Sequence, residues 1–415
     1  MPFGYLIAVI LIGTCVLFQL IPVPRNPLLR VASFWTGIVV NEQPHFFALV
    51  LAFSTGLAFS QGDIDSAPAW GTVVLALIVV AGLFVLLFRS MRSPDQVQGA
   101  IASLDPDAVR ETATRPRLLP ALLGPLAYGR RRVTRIADIS YGPAGERNLL
   151  DLYLPRSGEV TGPTLIYLHG GGFKSGSKRR EGQLALHRLA GKGWVCISAN
   201  YRLSPESQFP DYPIDLKRVI AWAKDEGVSH GVNPDRILLA GSSAGGHIAA
   251  TAALTANEPL LQPGFEQVDT SVAGAIGLYG YYGGLEYGSL RPRGPLPSSP
   301  RDLIHAGAPP FLVIHGDRDT VVSFGIARSF VSRLRDAGVP VAFARLPGAQ
   351  HTFDLLRSIR NESSVAAIED FAGWIFGATM EFHGESGNHR EAPVGAGSGH
   401  ASGDDCSGTG DPGHR

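Results

Sequence analysis

RILLAGSSAGGHIAA, residues 236–250, is the stretch that decides the fold. Arg236–Ala240 reads as a strand, Gly241-Ser242-Ser243-Ala244-Gly245 as a sharp turn, and the small residues that follow as a helix. A G-x-S-x-G sequence between strand and helix raises its central serine above the end of a sheet. Gly241 and Gly245 permit the bend because they carry no Cβ. Ser243 is the expected nucleophile, and the Ala244 N–H at the helix start is an expected oxyanion donor.

Working outward, three more apolar runs end in polar loops. Upstream, the strand Thr164–Leu168 leads into His169-Gly170-Gly171-Gly172-Phe173. Glycines in succession let backbone N–H groups approach a ligand closely, so Gly170 and Gly171 are expected to complete an oxyanion hole with Ala244. A phosphate loop is the competing reading, but GxxxxGK[ST] is absent. Downstream, Phe311–His315 precedes Gly316-Asp317-Arg318-Asp319, and Val341–Leu346 precedes His351. Asp317 and Asp319 compete for the role of triad acid. With Asp319 the order is serine, acid, histidine at spacings of 76 and 32 residues, room for strand–helix units between the members. A serine hydroxyl is a poor nucleophile at neutral pH, so His351 must take its proton and a carboxylate must orient the imidazole. His247, His315 and His169 read as structural: one under the nucleophile, one ordering the acid loop, one organising the glycines.

The flanking regions differ in composition. The chain has 415 residues with 17% charged, 45% apolar, and 36 basic against 36 acidic side chains. That balance excludes a disordered or nucleic-acid-binding chain. Three cysteines without a CxxC exclude a disulfide framework and a zinc site. No metal or cofactor is expected, and nothing in the sequence speaks to oligomeric state. Phe3–Ile21 and Trp70–Phe88 are each 19 residues without a charge, long enough to cross a bilayer as a helix. Phe46–Gly62 reads as a shorter span and Val31–Val40 as interfacial or packed against it. The first segment lacks the basic start of a signal peptide. Arg25 and Arg30 follow the first span and Arg89 and Arg92 follow the last, whereas Asp63 and Asp65 precede the last. Positive residues stay in the cytoplasm, which puts the N-terminus outside and everything after residue 89 inside the cell.

The expected organisation is a membrane region over 1–91 (spans about 3–21, 46–62 and 70–88) and a Pro/Arg-rich linker over 92–132 with one short helix near 105–114. An α/β domain over 133–378 and a disordered Gly/Ser/His-rich tail over 379–415 complete it. The histidines of that tail read as solvated.

HGGGF (169–173), NYRLSPESQFP (200–210), GSSAGG (241–246), HGDRD (315–319) and QHTF (350–353) together resemble the hormone-sensitive-lipase-like esterases and lipases. The likeness runs over roughly residues 148–371. It implies an α/β-hydrolase fold, a mostly parallel central sheet with flanking helices, here preceded by a transmembrane helical region. It also implies Ser243, Asp319 and His351 as the triad, Gly170 and Gly171 in the oxyanion hole, and carboxylic-ester substrates. Arg202 and Glu206 look like a buried structural pair. Two features depart from the family: Ser242 stands where its common G-D-S-A-G-G motif has an acid, and apolar spans replace the usual N-terminal cap helices. Residues 279–304, with Tyr279, Tyr281, Tyr282 and Tyr287, are a candidate lid or acyl-pocket wall.

The expected function is that of a membrane-anchored serine esterase or lipase acting on short- to medium-chain or lipid-derived esters through an acyl-enzyme. Rivals are a hydrolase of another acyl bond (arylformamide or peptide), a membrane acyltransferase, and, remotely, a non-catalytic binding module.

Overall fold

Strand β3 (Thr164–Leu168) lies at the middle of the molecule, bonded in parallel to β4 (Val195–Ala199) on one side and β5 (Ile237–Ser242) on the other. All five of its residues are buried, the pattern of a strand covered on both faces. In this computed structural model, which describes residues 3–21, 26–105, 114–126, 128–286 and 290–377, the sheet has eight strands in the order β1-β2-β4-β3-β5-β6-β7-β8. The remaining strands are β1 (Val133–Ser140), β2 (Leu149–Pro155), β6 (Gly274–Leu278), β7 (Phe311–Gly316) and β8 (Val341–Leu346). Strand β2 runs against the rest, pairing antiparallel with β1 on one side and β4 on the other. Each of the four sequence-expected strands is present within two residues of its expected ends.

Side chains alternate across the pleat and define two cores. Ile166, Leu168, Ile197, Leu239 and Val313 face one layer. Leu165, Tyr167, Cys196, Leu238 and Ile314 face the other.

Ahead of the sheet come helices α1 (Phe3–Leu20), α2 (Pro27–Val40), α3 (Pro44–Ser60), α4 (Ala67–Met91), α5 (Ser93–Ala102) and α6 (Leu118–Leu123). Those within and after it are α7 (Gln183–Ala190), α8 (Asp211–Lys224), α9 (Ala244–Leu254), α10 (Phe324–Asp336) and α11 (Ile359–Phe376). Helices α1 and α4 are long and apolar enough to cross a membrane; α2 and α3 are shorter apolar helices. Val9, Val16, Val79 and Leu83 are buried between them, while Ile7, Leu11, Leu77 and Ile78 point outward. A Cβ on Gly82 would come within 2.6 Å of Val16 Cγ1, so this glycine sets how closely α1 and α4 approach.

The N-terminal helices are joined to the α/β unit by polar contacts. Arg30 Nε donates to Thr320 O at 2.8 Å, and Asn41 Nδ2 donates to Gly348 O at 2.8 Å. Both ends of α2 are thereby held against the α/β unit, with Ser33, Gly37 and Val40 turned inward and Leu28, Val31 and Trp35 outward. Arg360, fully buried, donates to Asn41 O and to Glu42 Oε1, both at 2.8 Å.

The expected linker over 92–132 is different in kind. Its first part is α5, whose Val97, Ala100 and Ile101 are buried in the same layer as Leu312, Ala342 and Ile368. Apolar side chains three and four residues on from Val97 fall on the same helical face, a signal masked in the sequence by the surrounding Pro and Arg. The short helix expected near 105–114 falls mostly outside the described residues, as do Tyr287, the tail over 379–415 and its histidines.

Candidate active site

Ser243 occupies the bend between β5 and α9 at φ 53°, ψ −113°, a conformation a serine holds only when its surroundings enforce it. The enforcement is visible at Gly245, where a Cβ would lie 2.2 Å from Leu168 O. Ser243 N donates to Leu278 O at 2.9 Å, fixing the turn to β6.

His351 reaches this serine from the loop after β8. Its Nε2 lies 2.9 Å from Ser243 Oγ and its Nδ1 2.6 Å from Asp319 Oδ2. An ionised carboxylate can only accept, so the proton sits on Nδ1 and the Nε2 lone pair faces the serine hydroxyl. Asp319 Oδ1 accepts from the N–H groups of Val321 and Val322, each at 2.8 Å. Burial opposes the Asp319 charge, but His351 and the hydrogen bonds from His315 and His351 outweigh it and hold the carboxyl below its usual range. The competing acid, Asp317, is engaged elsewhere: it accepts from Arg345 at 2.8 Å and from Gly348 N at 2.7 Å.

The glycine loop departs from expectation at Gly170. Of the expected oxyanion donors Gly170, Gly171 and Ala244, it alone has a partner among the described residues: its N–H donates to Glu181 Oε2 at 3.3 Å. Among the described residues no hydrogen bond occupies the N–H groups of Gly171, Gly172 and Ala244. The sequence has no way to signal this, because Glu181 lies eleven residues beyond Gly170 and meets it only through the folded loop.

Burial pushes the Glu181 carboxyl up to about 7, with the Asp354 charge adding to it, against a usual value of 4.5. The folded protein therefore holds more protons than the unfolded chain between those values, and this contribution to stability is lost as pH rises through about 7. Replacing Glu181 by glutamine should leave a Tm–pH curve that declines less than wild type from about pH 4.5 to 7. Parallel curves for the two proteins would contradict this.

Beneath Ser243, the Ser242 side chain meets a buried acid. Its Oγ donates to Asp354 Oδ2 at 2.8 Å, and the same carboxylate accepts from Tyr167 at 2.8 Å and from Tyr279. Burial, reinforced by Asp354, pushes both tyrosines well above their ordinary range, so they remain hydroxyl donors. The clues available to sequence reasoning were the departure at Ser242 and an aspartate three residues after His351. Tyr279 packs edge-on against His351 at 4.5 Å. With Tyr282 also fully buried, residues 279–282 act as core and second layer, not as a lid. Arg202 is likewise paired differently from expectation, to Asp215 at 2.8 Å and Asp211 at 3.1 Å, while Glu206 is exposed.

The other histidines are structural. Burial pulls His247 and His169 down to about 4, so both are neutral at pH 7. His247 Nδ1 lies 3.0 Å from Tyr281 O, and His169 stacks on Tyr201 at 4.5 Å. His315 Nε2 lies 3.1 Å from Val322 O, on the acid loop.

A wall of the site comes from the N-terminal helices. The Phe34 ring stands 6.3 Å from the His351 ring. Gln350 braces the assembly: its Oε1 accepts from Thr320 N at 2.6 Å and His351 N at 3.1 Å, and its Nε2 reaches Ser33 Oγ at 3.4 Å.

A serine raised on a strand–turn–helix elbow above a mostly parallel, eight-stranded sheet defines the α/β-hydrolase class. Within that class, residues 150–282 match the BD-FAE family and residues 296–379 the prolyl oligopeptidase family. The chain is 39% identical to Esterase LipQ of Mycobacterium tuberculosis over 65% of its own length and 69% of that protein's. It is 34% identical to the probable carboxylic ester hydrolase LipM of the same organism, over 88% of this chain and 91% of LipM. That second match is too long to be confined to the hydrolase unit, so it includes N-terminal helices. A thermophilic esterase from Thermogutta terrifontis, Est2, superposes with a TM-score of 0.51 at 25% identity, over 60% of this chain and 95% of that one. The chain belongs to the α/β-hydrolase esterase family of these proteins and is a carboxylesterase-type hydrolase.

Proposed function

We propose that the chain hydrolyses carboxylic esters through an acyl-enzyme on Ser243, from a seat in the membrane. The observation that carries this reading is the unbroken hydrogen-bonded line from Ser243 Oγ to His351 Nε2 at 2.9 Å and from His351 Nδ1 to Asp319 Oδ2 at 2.6 Å. Ser243 Oγ attacks the carbonyl carbon as its proton passes to His351 Nε2. The oxyanion is received by the N–H groups of Gly171, Gly172 and Ala244. Collapse breaks the ester bond, and His351 returns the proton to the departing alcohol. A water, deprotonated by the same nitrogen, then releases the acid and restores the serine.

In this reading α1, α3 and α4 cross the bilayer while α2 lies along its inner surface, with the catalytic unit in the cytoplasm. The lengths of α1 and α4, the outward apolar side chains, and Arg30, Arg89 and Arg92 on the side of the catalytic unit support it. Leu28, Val31 and Trp35, all more than half exposed, face outward on the helix that carries Phe34. The substrate class is therefore short- to medium-chain or lipid-derived esters that approach along α2.

The test is hydrolysis of p-nitrophenyl esters from acetate to palmitate by the full chain in detergent. Activity with an optimum at short or medium chains is expected, and Phe34→Ala should move that optimum toward longer acyl groups by widening the space beside His351. Folded protein that turns over no ester would overturn the function. An unchanged chain-length profile in Phe34→Ala would remove α2 from the acyl site.

A further inference from the structure

A cavity of about 770 Å³ lies away from Ser243 and His351, between α7, the loop before α11 and the arginine run that precedes β1. Its wall is cationic. Arg130, Arg131 and Arg132 enter from one side and Arg117 from another, and no carboxylate is among the lining residues. Behind them, Arg188 contacts Glu362 at 2.5 Å and Glu369 at 2.9 Å, Lys192 contacts Glu369 at 2.8 Å, and Arg357 contacts Glu362 at 2.7 Å. Two glutamates thus serve three cations. Arg117 meets Glu362 only through its backbone N–H, at 3.3 Å, and among the described residues no ion pair is formed by the guanidinium groups of the four front arginines. A concave site of this size that gathers positive charge without acids is built for an anion.

One side of the same cavity is apolar and exposed. Leu126 lines it and is 70% exposed; in α6 just before it, Leu119 and Leu123 are 67% and 76% exposed. This leucine ledge is fastened to the start of α3 by a 2.8 Å contact between His45 Nε2 and Leu122 O, and Gln43 Nε2 donates to Arg357 O at 2.7 Å. The ledge and the cationic cavity therefore sit beside the point where α3 leaves the catalytic unit. A soluble anion would need only the arginines. A lipid needs both parts, an ionic cradle for its phosphate and an apolar surface for the start of its chains.

We propose that this cavity binds the phosphate headgroup of an anionic membrane lipid, with Arg117 and Arg130–Arg132 as the cradle and Leu119, Leu123 and Leu126 against the acyl region. The site is separate from the ester-cleaving one. It rests on the membrane seat proposed above but not on the chemistry at Ser243. Bound there, an anionic lipid clamps the catalytic unit to the bilayer face and holds α2, and with it Phe34, at a fixed height over the surface.

The test uses the full chain in a neutral detergent, titrated with short-chain phosphatidylglycerol or with phosphatidylcholine of the same chains, and read by thermal shift and native mass spectrometry. Wild type should bind the anionic lipid at least tenfold more tightly. A surface arginine is worth roughly fivefold toward an anionic headgroup, so R130Q/R131Q/R132Q should lose on the order of 100-fold. Arg117→Gln alone, on an exposed side chain, should lose about fivefold and guards against a triple variant that folds poorly. Equal binding of the two lipids, or an anionic preference that survives in both variants, overturns the site. Inorganic phosphate that stabilises wild type as much as the lipid does, and through the same arginines, assigns the cavity to a soluble phosphate and overturns the lipid. A carbonate wash of native membranes tests the membrane seat independently, and ester turnover tests the chemistry, so failure of either is distinguishable from failure of the lipid site.

Discussion

Replacing Ser243 by alanine is expected to lower kcat for ester hydrolysis by a factor on the order of 10⁴–10⁶, with the protein still folded. The side chain is 9% exposed and its Oγ touches His351 Nε2 at 2.9 Å, so removing one atom leaves no cavity of consequence. The loss is therefore chemical. Without Oγ there is no acyl-enzyme, and the remaining rate is what the oxyanion donors and binding supply to a direct attack by water. His351→Ala should cost about as much, and the two together little more, because members of a triad act as a unit. Steady-state rates paired with a fluorophosphonate label read this directly: wild type labels, Ser243→Ala does not. A Ser243→Ala protein that kept more than about a hundredth of wild-type activity would place the chemistry elsewhere.

The second large effect concerns Arg360, which fastens the N-terminal helices to the catalytic unit. Its guanidinium is fully buried and donates to Asn41 O and Glu42 Oε1 at 2.8 Å and to Pro347 O at 3.0 Å. Glu42 is itself 6% exposed, with Ser358 Oγ as its other donor at 2.7 Å. Removing one partner of a buried ion pair strands the other charge, so Arg360→Ala should cost about 3–5 kcal/mol. The failure should begin locally, with the turn at residues 41–43 becoming a site of proteolytic cleavage before the sheet unfolds. Because Pro347 and Gly348 start the loop that carries His351, catalysis should fall with it. The double variant E42Q/R360M, with no charge left to bury, should recover most of the stability. An Arg360→Ala protein within about 1 kcal/mol of wild type would mean the helices are held chiefly by their apolar contacts.

Much of this protein is legible from local sequence. The strands β3, β5 and β7 are short apolar runs buried along their whole length and closed by glycine loops, and a strand covered on both faces can hardly be written otherwise. Ser243, Asp319 and His351, which the fold brings into one hydrogen-bonded line, are legible for a related reason: each sits on the loop at the end of a strand, so the strand locates it. The long apolar runs of α1 and α4 are equally plain, because length and lack of charge are properties of a segment alone.

What depends on partners distant in the chain is not legible. Asp354 accepts from Ser242 Oγ, yet 112 residues separate them. Glu181 accepts from the Gly170 N–H across a loop, and Arg202 pairs with Asp211 and Asp215 on α8, not with the nearby Glu206. Residues 92–102 read as linker because Pro and Arg surround them, and only packing against β8 and α11 shows Val97 and Ile101 to be core. Four of the strands, the positions of Ser243 and His351 and the apolar helices can be read from the chain alone, since each is encoded in a contiguous pattern of size and polarity. Only folding shows which N–H groups are free, which carboxylate sits beneath Ser243 and that Phe34 of α2 stands beside His351. Hydrogen bonds and ion pairs are settled by geometry within about 3 Å, and no spacing along the chain carries that information.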